Sequence, residues 1–325
     1  MSHLLLLLAA IGLDRVVGDP PWLWQRLPHP VVIFGKAIDL MEKRLNSAAF
    51  TPEERRLNGV FTIVTLLVVS AVFGMILSSI FRHLGLFGLI LEIIVVAIFL
   101  AQKSLGDHVQ AVADGLLRSG LEGGRQAVAM IVGRDPKTLD EAGVSRAAIE
   151  SLSENFADGV VAPVFWYAVA GLPGILAYKM LNTADSMIGH KNERFLQFGW
   201  ASARLDDFAN WPAARLSAVL IALAAMLHLG AGAGRRSLSA ALRDSGLHRS
   251  PNSGWPEAAM AGALDQQLAG PRVYGGVRVS EPMMHAAGRS DAGPADIRTG
   301  IRVFYAACSV MAGSVALIWL IALVI

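Results

Sequence analysis

Glu150, Glu154 and Asp158 recur at i, i+4 and i+8 in ESLSENFADGVVAP (150–163), just ahead of an apolar run. On a helix, residues four apart stack on one face, so this spacing predicts three carboxylates pointing the same way. Such a row repels itself unless a divalent metal, a phosphate-bound Mg²⁺ or an arginine cluster stands against it. The plain alternative is a solvated acidic face.

A second polar block, YKMLNTADSMIGHKNERFLQFGWASARLDD (178–207), is dense in Asn, Asp, His, Lys, Glu and Arg. Asp185, Asp206 and Asp207, with Glu150, Glu154 and Asp158, form a carboxylate inventory adequate for Mg²⁺, which prefers one or two carboxylates plus phosphate oxygens and water. Lys191, Arg194, Arg204 and Arg215 have the charge to neutralise phosphates. The same arginines also suit salt bridges at a membrane interface. Asn155, Asn182, Asn192 and Asn252 supply amides that both donate and accept, which suits an amide-rich substrate. His190 and His29 stand in polar company, whereas His83, His108 and His228 read as interfacial or internally satisfied.

Several chemistries lose their support. The chain has no G-x-x-x-x-G-K-[ST], no G-x-G-x-x-G after a strand, no G-x-S-x-G, no H-E-x-x-H and no C-x-x-C. Any ATP is therefore held by a pocket outside the common nucleotide motifs. The single cysteine, Cys308, lies in the last apolar run and excludes an intramolecular disulfide.

The elements that must position these residues are membrane helices. Hydrophobic residues make up 54% of the 325 and charged residues 17%, and the mean hydropathy is +0.49. That is too apolar for an ordinary soluble domain. A net charge of +2 gives no footprint for nucleic acid. Apolar runs at 57–80, 84–101, 160–180, 211–229 and 303–325 read as about five membrane helices, within a range of four to seven. The shorter run at 4–13 reads as a retained first segment whose Asp14 and Arg15 sit near an interface or inside a protein-lined cavity. Gly171-Leu172-Pro173-Gly174 breaks the third run, giving either a kinked helix or two half-helices, with a re-entrant pair preferred. No repeat of fixed period is visible.

The fold expected is thus all-α, a single polytopic membrane domain over 1–325. Polar segments at 18–56, 102–159, 182–210 and 230–302 carry the site. The segment 102–159 reads as two or three amphipathic surface helices broken at Gly133-Arg134-Asp135-Pro136. SPNSGWPEAAMAGAL (250–264) reads as a turn and then a helix whose first turn can hold an anion. Tyr274-Gly275-Gly276 reads as a turn into a short extended piece.

Four blocks, GDPPWLWQRLPHPVVIFGKAI, ESLSENFADGVVAPVFWY, KMLNTADSMIGHKNERFLQFGWASARLDDFANWPAARL and SPNSGWPEAAMAGAL, closely resemble the CobD/CbiB family of cobalamin biosynthesis, the adenosylcobinamide-phosphate synthases. The resemblance runs over nearly the whole chain in the right order. It implies an inner-membrane, multi-pass ligase joining adenosylcobyric acid to (R)-1-aminopropan-2-ol phosphate, or to the free amino alcohol or ethanolamine phosphate, with ATP and Mg²⁺. An acyl phosphate would supply the leaving group before the amine attacks.

On that reading Glu150, Glu154, Asp158 and Asp185 serve catalysis, and Glu154, Asp158, Asp185, Asp206 and Asp207 serve the metal. Asn155, Asn182, His190, Lys191, Asn192, Arg194, Arg204 and Asn252 serve the substrates. The partners implied are the corrinoid, the amino-alcohol phosphate and the lipid bilayer, with a homo-oligomer or a complex with neighbouring pathway enzymes as options. The competing classes are a transporter for a polar substrate, built on broken helices, and a non-catalytic AmpE-like membrane sensor.

Overall fold

The computed structural model describes residues 2–133, 135–274, 277–279 and 281–324. In chain order the helices are α1 (Ser2–Val17), α2 (Pro21–Trp24), α3 (Pro30–Leu45), α4 (Pro52–His83), α5 (Gly85–Ile98), α6 (Gln102–Val128), α7 (Glu141–Phe156), α8 (Ala162–Ile188), α9 (Trp200–Leu229), α10 (Ala231–Asp244), α11 (Gly254–Leu264) and α12 (Pro294–Val324). Two short antiparallel pairs join β1 (Leu268–Ala269) to β4 (Met283–Met284) and β2 (Arg272–Tyr274) to β3 (Val277–Val279). The extended piece expected after Tyr274 is β3. The turn at Gly275-Gly276 lies outside the described residues, as does Arg134.

The chain is all-α in class and a multi-pass membrane protein. Among the described residues, five helices are long and apolar enough to cross a bilayer, within Pro52–His83, Gly85–Val128, Glu141–Ile188, Trp200–Leu229 and Pro294–Val324. The chain divides into two compact units, one of residues 1–100 and 162–210, the other of 101–161 and 211–325.

In the first unit α4 packs on α8 and α5, α1 on α5, and α3 on α8. Its local starts are written in the sequence. Thr51 caps α4 by accepting from Glu54 N at 3.2 Å while the Glu54 carboxylate accepts from Thr51 N at 2.8 Å. Pro52 follows at the first helical position, where no N–H is needed. His29 is spent in the same way, its Nδ1 accepting from Val31 N at the start of α3. Outward-facing Val68, Val69, Phe73 and Ile76 of α4 are exposed, as a lipid-facing side requires.

The expected break in α8 is present. Gly171 takes φ 63°, ψ −148°, so the helix is two pieces, 162–170 and 172–188. They turn back on each other: a Cβ on Gly174 would overlap Trp166 O and lie 2.8 Å from Ala170 Cβ. In a straight helix residues eight apart are separated by about 12 Å. The downstream piece, 172–188, is about 25 Å long at ~1.5 Å per residue, short of the roughly 30 Å hydrocarbon core, whereas the upstream piece continues helical structure that begins at Glu141. Carbonyls freed by the break need partners. His3 Nε2 donates to one of them, Ala168 O, at 3.1 Å. Gly74 of α4 receives the turn, with Pro173 Cα 2.6 Å from where its Cβ would be.

The same device recurs in the second unit. Gly120 takes φ 63° inside α6, and Gly115 O would stand 2.7 Å from a Cβ on Gly123, again eight residues apart. Both turns read G-L-x-G, as Gly120-Leu121-Glu122-Gly123 and Gly171-Leu172-Pro173-Gly174. Gly85-Leu86-Phe87-Gly88, the first turn of α5, is a third copy. The copies are irregularly spaced, which is why no periodic repeat shows.

The rest of the second unit packs α10 on α11, α6 on α7, and α12 on both α6 and α7. Phe156 meets Phe304 edge-on at 5.5 Å. The outer end of α12 exposes Leu317, Ile318, Leu320 and Ile321, a lipid-facing surface.

One intramembrane charge escaped the sequence reading. Glu92 is the lone acid in GLFGLILEIIVVAI, and it is buried. The Tyr167 hydroxyl donates to its Oε1 at 2.6 Å, so the carboxyl group is partnered within apolar surroundings.

Candidate functional site

The polar blocks assemble in pairs, one pair in each unit. In the second unit ESLSENFADG meets SPNSGWP. Asp140 accepts from Gly143 N at 2.7 Å and starts α7, which carries Glu150 and Glu154 on one face. The following residues, Ala157–Val161, form a π turn. A π turn widens the coil, so Asp158 leaves the row set by the two glutamates; such bulges recur at functional sites.

The three carboxylates consequently sit in different surroundings. Glu150 is buried, and its Oε1 accepts from Ala269 N at 2.8 Å, tying α7 to β1. Glu154 is half-buried, and its Oε1 accepts from the Ser253 hydroxyl at 2.9 Å. Asp158 is half-buried on the π turn. Asn155 folds back on its own helix, donating to Ser151 O at 2.9 Å.

The 250–253 turn is self-ordered. Asn252 N and Ser253 N both donate to Ser250 Oγ at 3.3 Å, the hydroxyl turn such sequences favour. It presents Asn252 to α9, where Arg215 Nη1 donates to Asn252 Oδ1 at 3.1 Å and to Trp211 O at 3.0 Å. The guanidinium also lies 4.4 Å from the Trp211 ring and 4.9 Å from the Trp255 ring. Arg215 thus fastens the turn to α9 by hydrogen bonds and cation–π contact.

In the first unit NTADSM meets RLDD. Tyr178, Asn182 and Asp185 follow at i, i+4 and i+7 along α8, and Asp206 and Asn210 at i, i+4 along α9. The two stripes interlock. Tyr178 donates to Asn210 Oδ1 at 2.7 Å, and Asn210 donates to Asp206 Oδ2 at 2.9 Å. Asp206 is 8% exposed, its Oδ1 has no hydrogen-bond partner among the described residues, and it feels the like charges of Asp185 and Asp207. Asp207, half-buried, lies in the field of Arg204 and Lys191, both exposed.

A buried carboxylate oxygen without a donor, beside a second carboxylate, is costly until a cation arrives. The described residues hold no group of three or more His, Cys, Asp or Glu that would cage an ion unaided. Asp185 and Asp206 together supply the two carboxylates that suffice for Mg²⁺ when phosphate and water complete its shell.

The 189–199 link keeps the two stripes together. Asn192 Oδ1 accepts from Phe195 N at 2.9 Å, so this side chain caps a turn. Arg194 points its fork at Glu42 of α3, donating to Oε1 at 3.0 Å and Oε2 at 2.8 Å. Glu42 is 5% exposed, and this hydrogen bonding holds its carboxyl below the usual range. Arg55 donates to Arg194 O and to Asn46 Oδ1. Arg194 is therefore committed to holding the link on α3, whereas Lys191 and Arg204 act on Asp207. His190 is exposed at the same link.

Ser253, Asn210, Tyr178 and Trp255 were not singled out from sequence. A signal existed for the middle two, because Tyr178 and Asn210 continue the helical spacing of Asn182–Asp185 and of Asp206. Ser253 showed none, since its partner lies 99 positions away.

A polytopic helical protein with two acid clusters built from these blocks defines a class of membrane protein, and the comparisons place it. The chain matches the family described as "CobD/Cbib protein" over residues 7–304. It is 66% identical to a Sinorhizobium sp protein called "Cobalamin biosynthesis protein CobD", over 99% of this chain and all of that one. It is 64% identical to one of that name from Rhizobium meliloti, over 95% of this chain and 94% of the other. A Rhodobacter capsulatus protein of the same name is 44% identical over 98% and 99%. This chain belongs to the CobD/CbiB family. No solved structure matches it.

Proposed function

We propose that this protein is an ATP-dependent amide ligase of cobalamin biosynthesis, seated in the inner cell membrane, that joins (R)-1-aminopropan-2-ol phosphate to a corrin propionate of adenosylcobyric acid. The supporting observation is Asp206, whose buried oxygen, without a donor among the described residues and in the field of Asp185 and Asp207, calls for a cation, while Lys191 and Arg204 act on the adjacent Asp207. Two carboxylates and two cations are the groups that Mg²⁺-bound phosphates need.

A propionate is a poor acyl donor, so its oxygen must first take a phosphoryl or adenylyl group from ATP. The ammonium gives up one proton, the freed amine nitrogen attacks the activated carbonyl, the phosphorylated oxygen leaves as phosphate or AMP, and a second N–H proton is lost as the amide forms. Mg²⁺, when bound, would neutralise charge on the transferring phosphate. Of this chain's residues, Asp185 and Asp206 would hold the ion, and Lys191 and Arg204 would bind phosphate oxygens. Glu154, oriented by Ser253, would take the ammonium proton. Asn252 and Arg215 would keep the turn bearing Ser253 in register.

The test is direct. Purified protein in lipid nanodiscs, given adenosylcobyric acid, ATP, Mg²⁺ and aminopropanol phosphate, should yield the condensation product by mass spectrometry, with ATP consumed in step. ATP-independent uptake of corrinoid into proteoliposomes without product would favour the transporter reading instead.

A further inference from the structure

Helix α10 begins directly after the apolar span of α9, turned by Gly230 at φ 94°. One face, with Ala233, Gly234, Ser237, Ala240 and Ala241, is buried. The Ser237 hydroxyl donates to Ala259 O at 2.8 Å, and Gly262 of α11 lies so close to Arg236 that its Cβ would stand 2.5 Å from the arginine carbonyl oxygen. The opposite face is exposed. Arg235, Leu238, Ser239, Leu242 and Arg243 follow at i, i+3, i+4, i+7 and i+8 and line a shallow open concavity.

This face has a composition that neither water nor the acyl chains suit alone. Leu238 is 42% exposed and Leu242 67%, on a helix otherwise sparing of large apolar residues. Arginines flank both leucines, with aliphatic stems able to lie along apolar surface while the guanidinium reaches outward. Arg243 is paired with Asp244. Arg235 has no carboxylate partner among the described residues.

We propose that α10 lies in the lipid–water interface, with Leu238 and Leu242 among the upper acyl chains and the phosphate of an anionic phospholipid held between Arg235 and Arg243. Two observations select a lipid over another occupant. The face is continuous with the end of a membrane-spanning helix, which puts it at headgroup level. Its charge pattern, guanidinium outside leucine at both ends, matches a phosphate above acyl chains. The inference is independent of the ligase reading.

The single cysteine makes the test clean. In a Cys308→Ser background, the full chain carrying Leu242→Cys is labelled with bimane and reconstituted in nanodiscs containing a small fraction of brominated lipid. Brominated phosphatidylglycerol should quench the label several-fold more than brominated phosphatidylcholine at equal fraction, since each arginine near the surface enriches anionic lipid roughly fivefold. A label at Leu317→Cys, on the exposed apolar end of α12, should be quenched equally by both. Arg235→Gln, which breaks no internal pair among the described residues, should pull the ratio at position 242 toward one.

Absence of quenching at position 242 would place the face in water or under protein and overturn the proposal. Equal quenching by the two lipids in the otherwise unaltered chain would overturn it as well. Loss of the ratio on adding inorganic phosphate at constant ionic strength would assign the arginines to a free anion, and the lipid proposal would fall.

Discussion

The Ser253 hydroxyl donates to Oε1 of Glu154 at 2.9 Å, joining two segments 99 positions apart. This bond orients a half-buried carboxylate at the end of α7 and separates the roles of the two residues. If Glu154 takes the ammonium proton, Glu154→Gln should lower turnover by about two orders of magnitude or more while the protein stays folded. Ser253→Ala should cost less, about tenfold, as loss of one hydrogen bond to a charged group implies. Turnover and thermal unfolding, measured on both variants, check this. Wild-type turnover in Glu154→Gln would remove the residue from the site.

Asp206 offers a trade-off between stability and activity. Its buried oxygen lacks a donor and faces a like charge, so Asp206→Asn should leave thermal stability unchanged or higher. The same change should lower turnover by at least about a hundredfold and raise the Mg²⁺ concentration needed for half-maximal rate. A variant that loses stability, or that keeps its Mg²⁺ dependence, would show that Asp206 is a structural carboxylate.

The reversal of α8 rests on backbone conformation. Gly171→Ala would place a Cβ at φ 63°, in the left-handed region, at a cost of about 1–2 kcal/mol. Gly174→Leu should cost more, because its side chain would start inside the Trp166 carbonyl. Unfolding midpoints in detergent should fall in the order wild type, Gly171→Ala, Gly174→Leu. Equal midpoints for all three would mean that the chain does not fold back here.

The Glu42–Arg194 pair predicts an acid limb in stability. Arg194 holds the Glu42 carboxyl below its ordinary value of 4.5 in the folded state. The pair therefore contributes fully above about pH 4.5, and its contribution is lost as pH falls through the lower folded value. Because Arg194 is 64% exposed, solvent screening keeps the effect small. Thermal midpoints from pH 6 to about 3 should slope less in Glu42→Gln than in wild type, and parallel slopes would refute the assignment.

Much of this protein was decided within short windows of sequence. Apolar runs long enough to cross a bilayer dictate helices, because lipid leaves backbone groups no other partners. Gly171 and Pro173 mark a break because one permits a positive φ and the other removes a donor. Thr51, Pro52 and Glu54 write the start of α4 in four residues. The extent of α9 was not legible in this way. Its apolar run begins at Trp211, yet the helix starts at Trp200, so Arg204–Asp207 ride on its first two turns rather than on a loop.

Partnership was settled only by tertiary structure. Nothing in the local sequence distinguishes Arg194, whose fork is taken by Glu42 152 positions away, from Arg204, which stands beside Asp207. The row of Glu150, Glu154 and Asp158 looked uniform, and a π turn together with two distant partners, Ala269 and Ser253, gave its members different surroundings. The physical reason is range. Helix propensity, capping and glycine turns act over a few residues and are written in contiguous sequence. The charge state and orientation of a side chain depend on whichever groups the fold brings within about 4 Å.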